Sequence, residues 1–216
     1  MHRRPKTGTT GWRPRAVDVM NLPNQLTVSR FVLTGLFLVA LFLEFPRYET
    51  VALALFVAAS ITDFFDGALA RKHGLITNFG ILMDPLADKI LVCSAFIAFV
   101  GLHWMPSWMV VVIVARELAI TGLRMLAASK RLVLAAEGFG KHKTVSQIVC
   151  IIAILVSMAY PTWGAWARVV FEWAPLGQQA WVVGFTQLSK WAAVILTILS
   201  GSVYLWRNRE VYLQDM

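Results

Sequence analysis

Long apolar runs, interrupted only by short polar stretches, fill the chain from residue 29 onward. Six segments are present: residues 29–45, 51–71, 83–102, 107–129, 145–162 and 186–207. An α-helix rises about 1.5 Å per residue, so about 20 residues cross the hydrocarbon layer of a bilayer. Connections such as residues 46–50 and 103–106 are short, which favours antiparallel packing of neighbouring helices. The pattern predicts an all-α membrane protein with six transmembrane helices.

The first 23 residues form a basic, polar arm without an apolar run. They contain no small-residue cleavage site, so the arm does not resemble a secretory signal peptide. We expect disorder over residues 1–10 and a short helix on the membrane surface over residues 18–27, limited by Pro23. The chain is thus predicted to consist of the arm (1–23), a membrane domain (24–207) and a C-terminal tail (208–216).

The amino-acid composition supports the membrane assignment. Of the 216 residues, 58% are apolar and 15% are charged, whereas soluble domains have about 45–50% and about 25%. A soluble domain is therefore excluded, and so is a disordered chain, because low hydrophobicity is what keeps a chain unfolded. Cys93 and Cys150 both lie in apolar runs, so no disulfide framework is expected.

The basic residues that produce the net charge of +8 are distributed unevenly. In a six-helix topology, the arm, the connections near residues 71–89 and 124–143 and the C-terminus share one side. Sixteen of the 20 basic residues fall on that side, and by the positive-inside rule it faces the cytoplasm. We expect a multi-pass protein of the cytoplasmic membrane, with both termini inside and no nucleic-acid partner.

Four acidic residues form one constellation at the connection between the second and third predicted helices. Asp63 and Asp66 are three residues apart, and Asp84 and Asp88 are four apart, so each pair shares one face of its helix. Converging carboxylates repel one another unless cations neutralise them. Oxygen-only ligands suit Mg²⁺ or Mn²⁺ rather than zinc, and four carboxylates favour two ions. Two-metal sites of this kind bind phosphoryl or pyrophosphate groups.

Small and polar residues accompany the carboxylates. Gly67 lies four residues after Asp63 and Gly80 four before Asp84, so each leaves room for a base or ribose beside a carboxylate. Arg71 offers a guanidinium for a phosphate, and Thr77 supplies a hydroxyl in the connection.

Basic residues in the fourth and fifth helices indicate an anionic second substrate. Arg116 and Glu117 lie inside an apolar helix, where a charge is expensive. Arg124 follows about two turns later on the same face, and Glu117 is a candidate structural partner for one of the two arginines. Basic side chains of this kind bind phosphate groups. The candidate residues for an acceptor phosphate are Arg116, Arg124, Lys141, Lys143, Thr144 and Gln147.

The order of these residues is specific: Asp-x-x-Asp-Gly-x-x-Ala-Arg, eight residues, then Gly-x-x-x-Asp-x-x-x-Asp. It resembles the signature of the CDP-alcohol phosphatidyltransferase family without a departure, and the resemblance covers about residues 20–207. Residues 22–30, 83–89, 115–124 and 140–147 resemble the branch of the family whose acceptor is sn-glycerol 3-phosphate.

The resemblance implies phosphatidyl transfer from CDP-diacylglycerol to sn-glycerol 3-phosphate by metal-assisted direct displacement. Asp63, Asp66 and Asp84 would hold Mg²⁺ or Mn²⁺, with Asp88 contributing to a second ion and acting as general base on the acceptor hydroxyl. The resemblance also implies that the protein forms a homodimer. Together with Gly80, the residues implied around CDP-diacylglycerol are Asn24, Thr27, Gly67, Arg71 and Thr77.

Three alternatives stay open at this point. The same reaction could use another acceptor, such as inositol phosphate, or phosphatidylglycerol in cardiolipin synthesis, since both are anionic. A divalent-cation transporter would also contain intramembrane carboxylates. We expect it to need polar residues lining a route to both faces, and the first, fifth and sixth predicted helices are read as carrying almost none at mid-depth. A structural scaffold would leave the aspartates without a role.

Overall fold

The computed structural model describes the backbone of residues 22–43, 45–73, 78–129, 139–174 and 179–209. Side chains are described for the same residues except 22–27, 63–73, 78–88, 128–129 and 139–141. Within these ranges all regular structure is helical, which confirms the predicted all-α class. The elements are α1 (Leu22–Phe42), α2 (Tyr48–His73), α3 (Asn78–Gly101), α4 (Ser107–Ser129), α5 (Phe139–Ala159), a 3₁₀ helix (Tyr160–Trp163), α6 (Ala165–Phe171) and α7 (Trp181–Arg207).

Six of these helices are long and correspond to the six predicted segments. The bounds of α4 agree with the prediction, whereas α3, α5 and α7 begin five or six residues earlier than expected. Two expectations were wrong. Residues 22–27 are the first turns of α1 and not a separate surface helix, because Pro23 lies in the first turn, where its missing N–H is tolerated. The first helix ends at Phe42 and not at residue 45.

The segment between α5 and α7 contains helical structure that the apolar pattern did not predict. A 3₁₀ turn is followed by Gly164, whose φ of 94° suits glycine, and then by the seven-residue helix α6. The Trp163 indole Nε1 donates to Thr50 Oγ1 at the start of α2, at 2.8 Å. This hydrogen bond places the α5–α6 turn at the same end of the bundle as the α1–α2 connection.

The core lies between α1, α2, α3 and α5. Phe37, Phe56, Phe96 and Phe99 are fully buried there, and α4 adds Ile113. Helix α5 packs against both α2 and α7, and α7 packs against α4. A smaller cluster joins the second half of α4 to the end of α7.

The bundle has two ends. We call them the motif end (the end of α2 and the start of α3) and the distal end (the α1–α2 and α3–α4 connections).

Apolar side chains face outward along the long helices. On α4, Val111, Leu118 and Met125 recur every seven residues and are 61–64% exposed. On α7, Leu188 and Leu199 are more than half exposed in the same way. A helix with a large exposed apolar face is stable in lipid and unfavourable in water. This pattern supports the membrane assignment independently of composition.

Two helical stretches among the described residues are long and apolar enough to cross a membrane, namely His142–Trp163 and Trp181–Arg207. Three shorter apolar stretches, Val28–Phe42, Tyr48–Thr62 and Lys89–Gly101, lie within α1, α2 and α3. Helix α4 interrupts its apolar sequence with Arg116, Glu117 and Arg124. These charges shorten the apolar stretch of α4.

Candidate active site

The four aspartates lie on α2 and α3, in the segments that define the motif end. Asp63 and Asp66 belong to the last three turns of α2, and Asp84 and Asp88 to the first three turns of α3. Their side chains lie outside the described residues, so their predicted convergence stays a prediction. Their carboxylate chemistry nevertheless fits divalent cations that prefer oxygen ligands.

The predicted nucleotide residues are distributed over the same helices. Gly67 and Arg71 are in α2, and Gly80 is in α3. Asn24 and Thr27 are in the first two turns of α1, and the side chains of all these residues lie outside the described set. Thr77 and the connection around it are also outside it.

A buried carboxylate, Glu117 of α4, is the centre of the described polar contacts. Its side chain is 3% exposed, and its Oε2 accepts a hydrogen bond from Lys89 Nζ at 2.9 Å. Lys89 follows Asp88 directly in α3, so this ion pair connects the aspartate-bearing segment to α4. From the sequence, Lys89 counts among the basic residues of the predicted cytoplasmic side, without a site role. Its spacing from the motif was the available signal for a further role.

Two predicted acceptor residues of α5 also contact Glu117. Lys143 Nζ donates to Glu117 Oε1 in a buried ion pair. Gln147, one turn later, donates from its amide to the same oxygen at 3.4 Å and to Thr197 Oγ1 of α7 at 3.1 Å. Thr144 is half-buried. We call the four residues Lys89, Glu117, Lys143 and Gln147 the Glu117 cluster.

The two predicted arginines both face α7. Arg116 Nη2 donates to Ser200 Oγ at 3.2 Å, and its Nη1 lies 3.5 Å from Glu117 Oε1. Arg124 Nε donates to Tyr204 OH at 3.3 Å, and its guanidinium lies over the same ring. The arginines therefore share one helix face, as their spacing predicts, and Glu117 contacts one of them, as expected.

Gly201 allows Arg116 to lie directly against α7. A Cβ added at Gly201 would be 2.9 Å from Arg116 Cγ, closer than real side chains approach. Arg116 Nε is buried and has no hydrogen-bond partner within the described part of the chain. A buried N–H without a partner is unfavourable, so this donor is an unsatisfied polar group beside the Glu117 cluster.

The positions missed by the sequence analysis lie on α7. Thr186, Ser189, Lys190, Thr197 and Ser200 are all buried, so the expectation that this helix carries almost no polar residues at mid-depth was wrong. Thr186, Lys190, Thr197 and Ser200 follow one another at intervals of four, seven and three residues, which places them on one helical face, and Ser189 lies beside Lys190. The spacing was visible in the sequence, but the surrounding Leu, Ile and Trp residues obscured it.

The cluster as a whole carries positive charge. Lys89 and Lys143 of the cluster and the neighbouring Arg116 surround one carboxylate, which leaves a formal charge of +2 on these four described side chains. Within the low dielectric of a helix bundle, such an excess favours binding of an anion with several oxygens. The side chain of Lys141, another predicted acceptor residue, lies outside the described set. Among described residues, no group of three or more His, Cys, Asp or Glu forms a further metal-binding set.

Comparison with known proteins identifies the class. The family model for CDP-alcohol phosphatidyltransferases matches residues 20–199. The chain belongs to this family, and is a membrane-embedded phosphatidyltransferase.

Its curated relatives are more specific. It is 37% identical over 204 residues to the CDP-diacylglycerol–glycerol-3-phosphate 3-phosphatidyltransferase of Bacillus subtilis, covering 89% of this chain and 97% of the relative. It is 38% identical over 206 residues to a probable phosphatidylglycerophosphate synthase of Mycobacterium tuberculosis, covering 94% and 87%. A Rickettsia bellii relative with the same name as the Bacillus enzyme is 32% identical over 184 residues, covering 85% and 93%.

Proposed function

We propose that this protein transfers the phosphatidyl group from CDP-diacylglycerol to sn-glycerol 3-phosphate, giving phosphatidylglycerophosphate and CMP. The printed names of the relatives, which match over nearly their whole length, support this reaction. The structural observation that carries the acceptor assignment is the net positive Glu117 cluster beside Arg116, whose buried Nε lacks a partner within the described residues. A neutral alcohol would leave that charge uncompensated.

The aspartates provide the groups that hold the donor. Asp63, Asp66, Asp84 and Asp88 would bind Mg²⁺ or Mn²⁺, and two such ions would neutralise the pyrophosphate and stabilise the leaving CMP. Gly67 and Gly80 leave room for the nucleotide to approach the helix backbone. Asn24, Thr27, Arg71 and Thr77 complete the proposed nucleotide pocket.

Asp88 is the proposed general base. Its carboxylate takes the proton from the acceptor hydroxyl, and the oxygen then attacks the phosphorus that bears the diacylglycerol. The new P–O bond forms as the bond to CMP breaks, and CMP leaves with the bonding electrons. Positioning of the two substrates supplies much of the acceleration in such a displacement.

The acceptor phosphate would bind on the opposite side of the reacting hydroxyl, among basic residues of α4 and α5. Arg116 is fixed by Ser200, and its buried Nε has no partner within the described residues. Lys143 and Gln147 are held by Glu117, and Arg124 by Tyr204. Thr144 and Lys141 lie on the same first turns of α5. The Glu117 cluster thus keeps these donors oriented before the substrate arrives.

The distribution of basic residues along the chain indicates the membrane topology. We propose that the six long helices span the cytoplasmic membrane, with both termini and the motif end in the cytoplasm, where nucleotides and glycerol 3-phosphate are available. The uneven distribution of basic residues supports this orientation. We also propose a homodimer, from the family resemblance. Light scattering of the detergent-solubilised protein tests it, with a monomer mass as the contrary result.

An acceptor panel tests the reaction. Purified protein is incubated with labelled CDP-diacylglycerol and sn-glycerol 3-phosphate, inositol phosphate or phosphatidylglycerol, with Mg²⁺, Mn²⁺ or a chelator. We expect turnover with sn-glycerol 3-phosphate alone, and none after chelation. Preferential turnover of another acceptor would refute the assignment while preserving the family reaction.

A matched pair of variants tests the base. Asp88→Asn should lower kcat by about 100-fold or more, because general-base catalysis contributes on that scale. Glu172→Gln removes an exposed carboxylate beyond the end of α6 and should leave kcat unchanged. Full activity of Asp88→Asn would exclude Asp88 as the base.

A further inference from the structure

A cavity lies at the distal end of the bundle, between the α3–α4 connection and the first half of α7. Its volume is about 500 Å³, within the range of small-molecule sites. The residues with polar groups that line it are His103, Trp104, Ser107, Gln187 and Lys190. Along α3, Asp84 and Gly101 are separated by about 25 Å at 1.5 Å per residue. The cavity is therefore separate from the proposed active site.

Lys190 is the charged group of this cavity. The residue is 5% exposed, although it lines the cavity wall. Within the described ranges its ammonium forms neither an ion pair nor a hydrogen bond. It lies about 13 Å along α7 from Trp181, because nine residues rise 1.5 Å each. A lysine at such a depth is expensive unless it is compensated, and it is a functional-site candidate for that reason.

The groups around Lys190 match a phosphate. Gln187 lies one turn earlier on the same face of α7, and His103 of the α3–α4 connection and Ser107 at the start of α4 line the same cavity. One cation and several neutral donors suit an anion with several oxygen atoms. Val100 and Met105 add apolar wall. An apolar wall beside a phosphate site suits the phosphate and glycerol portion of a phospholipid better than a free ion.

We propose that this distal cavity binds a phosphate group, that of a phospholipid head group in the membrane leaflet away from the active site, with Lys190 as its counter-ion. This site does not take part in phosphatidyl transfer. Its ligand would be held by the Lys190 ammonium and by hydrogen bonds from Gln187 and Ser107, with the acyl chains passing along the exposed apolar surface of the helices.

Binding to the delipidated protein in a neutral detergent tests the site. Short-chain phosphatidylglycerol, diacylglycerol without phosphate, and inorganic phosphate are titrated separately, and affinity is taken from thermal shift and native mass spectrometry. The variants are Lys190→Met, Lys190→Arg and Gln187→Leu. Arg168→Met is the matched control, because Arg168 is an exposed cation of α6 that does not line the cavity.

We expect phosphatidylglycerol to bind the distal site, Lys190→Met to weaken it by about tenfold or more, and Lys190→Arg to restore most of the affinity. The tenfold loss corresponds to about 1.4 kcal/mol. Gln187→Leu should weaken binding less, and Arg168→Met should have no effect. Phosphatidyl transfer should be unchanged in every variant, so failure of this proposal is separable from failure of the proposed function.

Three results test the source of the phosphate and the proposal itself. Binding of inorganic phosphate that is lost in Lys190→Met, without lipid binding, would support the phosphate site but overturn the lipid head group as its source. Equal binding of phosphatidylglycerol to wild type, Lys190→Met and Gln187→Leu would overturn the proposal. Equal binding of diacylglycerol and phosphatidylglycerol would also overturn it.

Discussion

Replacing Glu117 by Gln removes the one carboxylate that three cations share. Lys89, Lys143 and Arg116 contact it, and the Glu117 side chain is 3% exposed. Glutamine keeps the shape of the side chain and one acceptor oxygen but removes the charge. Removing one partner of a buried ion pair costs about 3–5 kcal/mol, because the remaining charge stays buried without compensation. We expect a loss of stability on that scale.

The loss should be visible in thermal unfolding of the solubilised protein. One kcal/mol shifts Tm by about 2–4 °C in a chain of this size, so Glu117→Gln should lower Tm by about 6–20 °C. The KM for glycerol 3-phosphate should also rise, because Lys143 and Gln147 lose the group that orients them. Glu172→Gln, which removes an exposed carboxylate, is the control and should shift Tm by less than about 2 °C.

A double-mutant cycle with Lys143→Met isolates the pair. Lys143 lies 26 residues from Glu117 in sequence and contacts it directly. Residues in one ion-pair network show coupling energies of about 0.5–3 kcal/mol, so the double variant should be more stable than the sum of the single variants predicts. Strict additivity, or a Glu117→Gln protein as stable as the Glu172→Gln control, would refute the reasoning.

Two further substitutions probe the contacts with α7. Thr197→Val removes the hydroxyl that accepts a hydrogen bond from the Gln147 amide at 3.1 Å. The substitution should destabilise the protein by about 1–3 kcal/mol. An unchanged Tm would contradict this expectation. Gly201→Ala places a methyl group 2.9 Å from Arg116 Cγ, so it should displace that side chain and raise the KM for glycerol 3-phosphate with little change in kcat. Gly184→Ala is the control, because no atom lies within 4 Å of a Cβ added at this position of the same helix. It should keep the wild-type KM. Equal KM values for the two alanine variants would show that the close approach of Gly201 to Arg116 does not matter.

The helices were predictable where hydrophobicity alone determines them. The bounds of α4 agreed because apolar residues fill that helix from its first turn. Helix α5 begins at Phe139 and not at residue 145 because its first turns are polar and resemble a loop. Those turns are nevertheless helical, since Lys143 finds a buried carboxylate on the neighbouring helix. Sequence periodicity contains no information about that partner.

The candidate site was predictable by residue but not by contact. Lys143 and Arg116 were identified by their charge and Gln147 by its place at the start of the fifth helix, yet the contacts of Gln147 and Arg116 with α7 depend on which helices are neighbours. Thr197 and Ser200 carry no charge and are common in membrane helices, so only the packing of α5 and α4 against α7 gives them a role. Side-chain chemistry is local, whereas helix adjacency is a property of the whole bundle.

The residues of the Glu117 cluster and their partners on α7 are synthesised at different times. In the proposed six-span topology the ribosome delivers the helices in sequence, so Lys89 and Glu117 reach the membrane first, Lys143 follows with α5, and Thr197 and Ser200 arrive last with α7. Helices inserted in turn associate afterwards through packing and interhelical hydrogen bonds. The polar groups of α4 and α5 therefore obtain their full set of partners only after the last helix is made. A truncation before α7 would damage the centre of the bundle and not only its edge.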